Sequence, residues 1–297
     1  VEKLNVSSKN SLFKVVRENS NNEIIQILKA YPYETQEEIK SFQNESEIVE
    51  LLRNNPLFVT YDNQFEQTID VEIKINNRQV SQFKKNYMFV VMKYYQYKDL
   101  ERVTEHASKG SSEDMVVNFL FQSLNALKVL HSKKIVHHDI KLSNFLIISD
   151  DPLKFALIDF EFAEKLNDQK TLSMAGTRPF LAPEILNDEE HNTSVDIWGL
   201  GVSAYKLSEG CFPYKIINKD STEQIKSKIS RNNLKFFGNS KKKSANFINL
   251  LSEMLKKEPS QRITADEALQ NNLFDKYNII EEDNDVELEP VPGVRRN

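Results

Sequence analysis

Asp139, Lys141 and Asn144 stand close together in the run His137-His138-Asp139-Ile140-Lys141-Leu142-Ser143-Asn144, and the apolar stretch Phe145 to Ile148 follows directly. A carboxylate, an ammonium and an amide at this spacing offer a proton acceptor, a cation for an anionic group in transit and an oxygen ligand for a hard metal ion. Phosphoryl transfer asks a protein for that combination, because the reaction needs positioning and charge compensation more than covalent chemistry. A His-x-Asp turn on its own is more often structural than functional, so the reading depends on what surrounds it.

What surrounds it is an ordered series. A second apolar stretch, Phe155 to Ile158, leads into Asp159-Phe160-Glu161. The segment Gly176-Thr177-Arg178-Pro179-Phe180-Leu181-Ala182-Pro183-Glu184 ends 25 positions after Asp159. Asp196-Ile197-Trp198-Gly199-Leu200-Gly201 opens a helical pattern, and Arg262 comes later. In this order the segments resemble the eukaryotic-type protein kinase catalytic domain, with its H-R-D-x-K-x-x-N loop, D-F-G, A-P-E and D-x-W-x-x-G.

The resemblance implies an α+β, two-lobed protein kinase fold with a small β-rich lobe carrying one helix and a larger, mainly helical lobe. It implies that Asp139 accepts the hydroxyl proton, Lys141 stabilises the moving phosphoryl group, and Asn144 and Asp159 hold Mg²⁺. Thr177 is expected to brace Asp139 and Lys141, Asp196 the catalytic-loop backbone, and Arg262 is expected to pair with Glu184. ATP and Mg²⁺ are the implied cofactors. The implied acceptor is Ser or Thr of a protein substrate, because tyrosine kinases usually differ at the positions of Lys141 and Thr177. A regulatory protein is a further partner that such a domain can take.

Toward the N-terminus, Gln26-Ile27-Leu28-Lys29 takes the place of V-A-I-K. The resemblance then assigns Lys29 to the α- and β-phosphates, with Glu45 as its helix partner and Glu47 as the fallback. Val15, Ile27, Met92, Lys93, Tyr94, Asp99 and Leu146 are expected around the nucleotide, with Met92 as gatekeeper and Asp99 at the ribose hydroxyls. Ile27 stands where alanine is usual. Ser8 to Val15 contains no glycine, Glu161 replaces the glycine of D-F-G, and His138 replaces an arginine. These departures keep open a pseudokinase acting as a scaffold or allosteric partner, and a small-molecule kinase is a third reading. Ser143-Asn144-Phe145-Leu146, Ala156 to Phe160 and Gly176 to Glu184 look closest to the cell-division-cycle kinase that fires replication origins; the first piece also resembles casein kinase one.

The elements that must position these residues are legible in the patterning. Alternation over Leu12 to Val16, Glu23 to Ala30, Thr68 to Ile75 and Tyr87 to Met92 predicts strands. Apolar residues at Ile39, Phe42, Ile48, Val49 and Leu52 predict one helix over Thr35 to Leu52. Helical stripes follow over Val116 to His131, Thr193 to Glu209, Ser244 to Leu255 and Thr264 to Leu269. The expected divisions are a first lobe over 1–93, a second over 94–278 and an acidic tail over 279–297. His137 reads as a buried structural histidine, and His106, His131 and His191 as surface or helix-end residues without metal-ligand spacing.

Composition sets outer bounds. The 297 residues are 39% hydrophobic and 28% charged, which fits a packed globular chain. A net charge of -5 supplies no global basic field for nucleic acid or an anionic membrane, and Lys241 to Lys243 read as a solvated loop. One cysteine, Cys211, leaves no partner for an internal disulfide and suits a reducing compartment, cytosol or nucleus. No stretch approaches the roughly 18 consecutive apolar residues that span a bilayer.

Overall fold

The structure, a computed structural model, describes residues 2–6, 10–19, 22–75, 78–96, 99–104, 110–167, 170–236 and 243–277. Ser8, Lys9, His106, Lys241, Lys242 and the tail from 279 onward lie outside the described residues.

The first lobe is a five-stranded antiparallel sheet with one helix against it. Its strands are β1 (Glu2–Val6), β2 (Ser11–Asn19), β3 (Asn22–Tyr33), β4 (Tyr61–Ile75) and β5 (Arg78–Lys93), in the spatial order β1-β2-β3-β5-β4. The expected strands are present, but the one expected over Thr68 to Ile75 begins at Tyr61, because the mostly polar stretch Asn63 to Gln67 extends the pairing with β5, with Phe65 opposite Phe89. Between β3 and β4 lies α1 (Gln36–Leu51). Thr35 caps it reciprocally with Glu38: the Glu38 N–H donates to Thr35 Oγ1 at 3.2 Å and the Thr35 N–H to Glu38 Oε2 at 2.9 Å. Such a box satisfies two orphan donors at once and sets where the helix starts. Phe42, Ile48 and Val49 bury its inner face, and Glu45 is buried with them.

Beyond Lys93 the chain is mainly helical. The short α2 (Leu100–Thr104) precedes α3 (Glu113–Ser132), capped by Ser112. Strands β6 (Ile135–Val136), β7 (Phe145–Asp150), β8 (Leu153–Leu157) and β9 (Glu164–Lys165) form two small antiparallel pairs, β6 with β9 and β7 with β8. Then come α4 (Pro183–Leu186), α5 (Ser194–Glu209), α6 (Thr222–Arg231), α7 (Ala245–Met254) and α8 (Ala265–Leu269). Helix α5 is the centre of this lobe: Ile197, Trp198, Leu200, Ala204 and Tyr205 are all nearly free of solvent. Its Gly199 lets the helix pass beneath the catalytic loop, since a methyl group there would sit 2.9 Å from the Ile140 carbonyl oxygen.

One hydrophobic cluster joins the lobes, running from Ile48, Val49 and Phe58 through Phe160 to Leu127 and Trp198. Phe160 is 1% exposed, its ring 6.0 Å from that of Phe58 and 5.1 Å from the His137 imidazole. Among the described residues no helix is long and apolar enough to cross a membrane.

Candidate active site

The segment between β6 and β7 has little regular structure, so outside groups must hold it. Asp196, at the start of α5, does this: its two carboxylate oxygens accept the backbone N–H of His137 and of His138, each at 2.9 Å. His131 at the end of α3 adds an Nε2 contact to the same carboxylate at 3.0 Å. Burial alone would raise the Asp196 carboxyl, but the hydrogen bond and charge of His131, with help from His137, hold it below its ordinary value. An ionised Asp196 thus anchors two consecutive amides of the loop. His131 is a helix-end residue, as expected, and His137 is fully buried.

Held this way, the loop presents a closed triangle. Thr177 Oγ1 donates to Asp139 Oδ1 at 2.6 Å, Lys141 Nζ reaches Asp139 Oδ2 at 2.6 Å, and Lys141 Nζ also donates to Thr177 Oγ1 at 2.8 Å. Asn144 Nδ2 donates to the Asp139 carbonyl at 2.8 Å and to its Oδ2 at 3.2 Å. Thr177 comes from a different segment, and Gly176 brings it in. Gly176 has φ +113°, and a Cβ there would lie 2.5 Å from the His138 carbonyl oxygen. We expect Gly176→Ala to cost roughly 1–3 kcal/mol from backbone conformation alone and to lower turnover by pulling Thr177 off the triangle. Thermal denaturation with steady-state turnover checks this; an alanine variant unchanged in both would mean that the close approach is not maintained.

The second half of the site lies across the cleft. Lys29, on β3 and 8% exposed, bonds Asp159 Oδ1 at 2.9 Å and sits 4.7 Å from the centre of the Tyr31 ring. Burial opposes its charge, but Asp159 and Glu45 together keep the ammonium raised above its ordinary value. Asp159 has φ +67° and its carboxyl is lowered, because the neighbouring Lys29 charge and hydrogen bond outweigh the cost of burial. The expected Lys29–Glu45 pair is not formed. Glu45 instead accepts hydrogen bonds from the Tyr31 hydroxyl at 3.2 Å and from the Tyr61 hydroxyl. Burial raises the Glu45 carboxyl and, with Glu45 beside them, raises both phenols. Glu45 remains the acidic residue of α1 at the site, since Glu47 lies on the helix away from the cleft. Tyr31 and Tyr61 are additions to the expected set; the β3 alternation that selects Lys29 also places Tyr31 on its face, whereas nothing local marks Tyr61.

Lys29, Glu45, Tyr61 and Asp159, together with Asp139, Lys141 and Asn144 of the loop, line one cleft of about 1170 Å³. Ile27, Met92, Lys93, Tyr94, Asp99 and Leu146 line it as expected, and Glu161 joins them. Val15 does not. The register sets Leu12 opposite Lys29 and Lys14 opposite Ile27, so Val15, opposite Gln26, falls on the other face of the sheet, and Leu12 supplies the apolar contact. Asp99 also serves α2, accepting the Arg102 N–H at 3.0 Å.

The donor set suits a hard cation. Asp159 is ionised, and Asn144 spends its amide nitrogen on Asp139, which leaves its Oδ1 as the acceptor; two oxygens at the cleft match Mg²⁺ chemistry. Among the described residues no group of three His, Cys, Asp or Glu could hold a metal by itself, so such a cation would share its coordination with phosphate oxygens.

Comparison with known proteins agrees with this geometry. The protein kinase domain family matches residues 9–274. The chain belongs to the protein kinase domain family. It is 28% identical over 264 residues to serine/threonine-protein kinase pakH of Dictyostelium discoideum, covering 88% of this chain and 46% of that protein. It is 30% identical over 190 residues to an Aurora kinase of Debaryomyces hansenii (59% of this chain, 44% of that protein) and 27% identical over 214 residues to serine/threonine-protein kinase PLK4 of Drosophila yakuba (70% and 27%). The chain spans less than half the length of these relatives. They belong to several kinase groups and do not single out the origin-firing kinase or casein kinase one.

Proposed function

We propose that this protein is an ATP-dependent serine/threonine-protein kinase acting on protein substrates. The observation that carries the reading is the closed triangle of Asp139, Lys141 and Thr177, in which a carboxylate, an ammonium and a hydroxyl from two separate segments meet within 2.8 Å. Asp139 is placed to take the proton of an incoming hydroxyl. Lys141, already at its side, supplies positive charge where the transferred group would pass. Lys29 holds the phosphates from the opposite wall, and Asp159 and Asn144 would hold the metal. Bound Mg²⁺ neutralises phosphate charge and fixes the phosphate oxygens. Keeping so many charged groups in one cleft is costly without a ligand to compensate them, which favours a catalyst over a scaffold.

Mg²⁺-dependent ATP binding tests the reading. With ATP about tenfold above its Kd, linkage gives roughly 1.4 kcal/mol of stabilisation and a melting point higher by a few degrees. The shift is expected to require the metal and to be largely lost in Lys29→Met. Absence of any shift at saturating Mg²⁺ and ATP, reproduced by calorimetry, would sink the catalytic reading, whereas a metal-independent shift would indicate a nucleotide-regulated scaffold. Incubation with a peptide library is expected to label Ser and Thr; labelling mainly on Tyr would overturn the acceptor assignment.

A further inference from the structure

The sequence presents His138 as a replacement for arginine and His191 as a surface or helix-end residue, yet both are buried, at 6% and 3% exposure, and they meet. Their Nε2 atoms are 3.1 Å apart, with the rings nearly perpendicular at 86°. The remaining ring nitrogens face backbone carbonyls: His138 Nδ1 is 3.0 Å from the Phe162 oxygen and His191 Nδ1 is 3.1 Å from the Glu189 oxygen.

Counting protons decides what this arrangement is. A carbonyl oxygen only accepts, so each Nδ1 must carry a hydrogen. The contact between the two Nε2 atoms needs one more, because two bare lone pairs at hydrogen-bond distance repel. Three contacts therefore require three protons, while two neutral imidazoles carry two. The observed geometry is that of an imidazole–imidazolium pair, and a neutral pair must release one of its three contacts.

The pair also joins pieces of chain that share no regular structure. His138 belongs to the catalytic loop, and the Phe162 carbonyl lies just beyond Asp159-Phe160-Glu161. His191 exchanges two backbone hydrogen bonds with Thr171, both at 2.9 Å. We propose that one proton shared between His138 and His191 clasps the catalytic loop to the segment around Thr171, and that the clasp loosens when this proton leaves.

The surrounding charges define the direction. From α5, Asp196 faces His138 and binds its backbone N–H; from β9, Glu164 faces it and accepts the Thr171 hydroxyl at 2.9 Å. His137 is its chain neighbour, and His131 of α3 contacts the same Asp196. Burial opposes the proton most strongly and the His191 ring adds to it, so although the two carboxylates favour the charged form, His138 titrates below the ordinary imidazole value. The third proton therefore joins as the pH falls below about 6.5. Global stability runs the other way. A histidine depressed in the folded state stabilises the fold above its unfolded pKa, and that contribution is lost as the pH falls through the folded pKa. Acid thus tightens the local clasp, whose loosening leaves both rings buried, while lowering stability relative to the unfolded chain, where they are exposed.

The test is nuclear magnetic resonance of the full chain labelled with ¹⁵N at histidine, together with amide exchange, across about pH 5 to 8. On the acid side a through-hydrogen-bond correlation between the two Nε2 atoms is expected, with both Nδ1 atoms protonated. As the pH rises the correlation is expected to vanish, and protection of the Thr171 amide, corrected for intrinsic exchange, to be lost. In His191→Gln that step in protection is expected to be absent. Two rings that titrate independently with no correlation at any pH would overturn the proposal, as would an unchanged Thr171 step in His191→Gln. If the glutamine variant does not fold, the correlation in the unaltered protein decides alone. None of these readouts depends on ATP or turnover.

Discussion

Asp139→Asn is expected to lower turnover by about 10²- to 10⁴-fold, the range supplied by a positioned general base, with little change in melting temperature or in Mg²⁺-dependent ATP binding. The shape of the side chain is nearly preserved, so an amide oxygen can still accept from Thr177 or Lys141. What is lost is the capacity to take a proton. The Lys141 side chain is 20% exposed, so water can replace part of its lost ion pair and the penalty to folding stays small. Turnover measured beside binding separates the two effects. An asparagine variant with undiminished turnover would show that Asp139 is not the proton acceptor.

The largest expected loss of stability is at Arg262. Its guanidinium forms two parallel bonds to Glu184, at 2.6 and 3.0 Å, with both side chains essentially sealed from solvent. It also donates to the Lys256 carbonyl at 3.1 Å and the Ser194 carbonyl at 2.9 Å, and lies 5.2 Å from the Trp198 ring centre. One side chain thereby ties the end of the Gly176 to Glu184 segment to the start of α5. Arg262→Met leaves a buried carboxylate without its counter-charge, a change that typically costs about 3–5 kcal/mol, and in a domain of this size the melting temperature should fall by on the order of 10 °C. Combining Arg262→Met with Glu184→Leu should recover much of that loss, because the orphaned charge is then gone. If the double variant is no more stable than the worse single one, the loss comes from packing around Trp198 rather than from the charge.

Much of the site is legible from residue type and order alone. Asp139, Lys141 and Asn144 are neighbours in the chain, so their proximity needs no tertiary information. Asp196, Glu184 and Arg262 are legible in the same way, and each meets the partner expected of it. The helix over Thr35 to Leu52 and its Thr35 cap are readable because capping chemistry acts within one turn.

Legibility ends where a side chain's partner lies far away in sequence. Val15 and Leu12 are both apolar residues of one strand, and only the pairing of β2 with β3 decides which faces the cleft, since one position along a strand changes the face. Tyr61 opens a strand that runs longer than its apolar alternation, and its hydroxyl meets Glu45 only after β4 and α1 pack.

By itself, the order of residue types determined that this chain builds a two-lobed kinase domain, because catalytic groups within a loop and apolar periodicity within an element are local properties. Tertiary structure alone decided that Lys29 bonds Asp159 while two tyrosines engage Glu45, and that His138 meets His191. These choices follow from burial and distance: once packing removes water, each charged or polar group must take whichever partner the fold brings within about 3 Å.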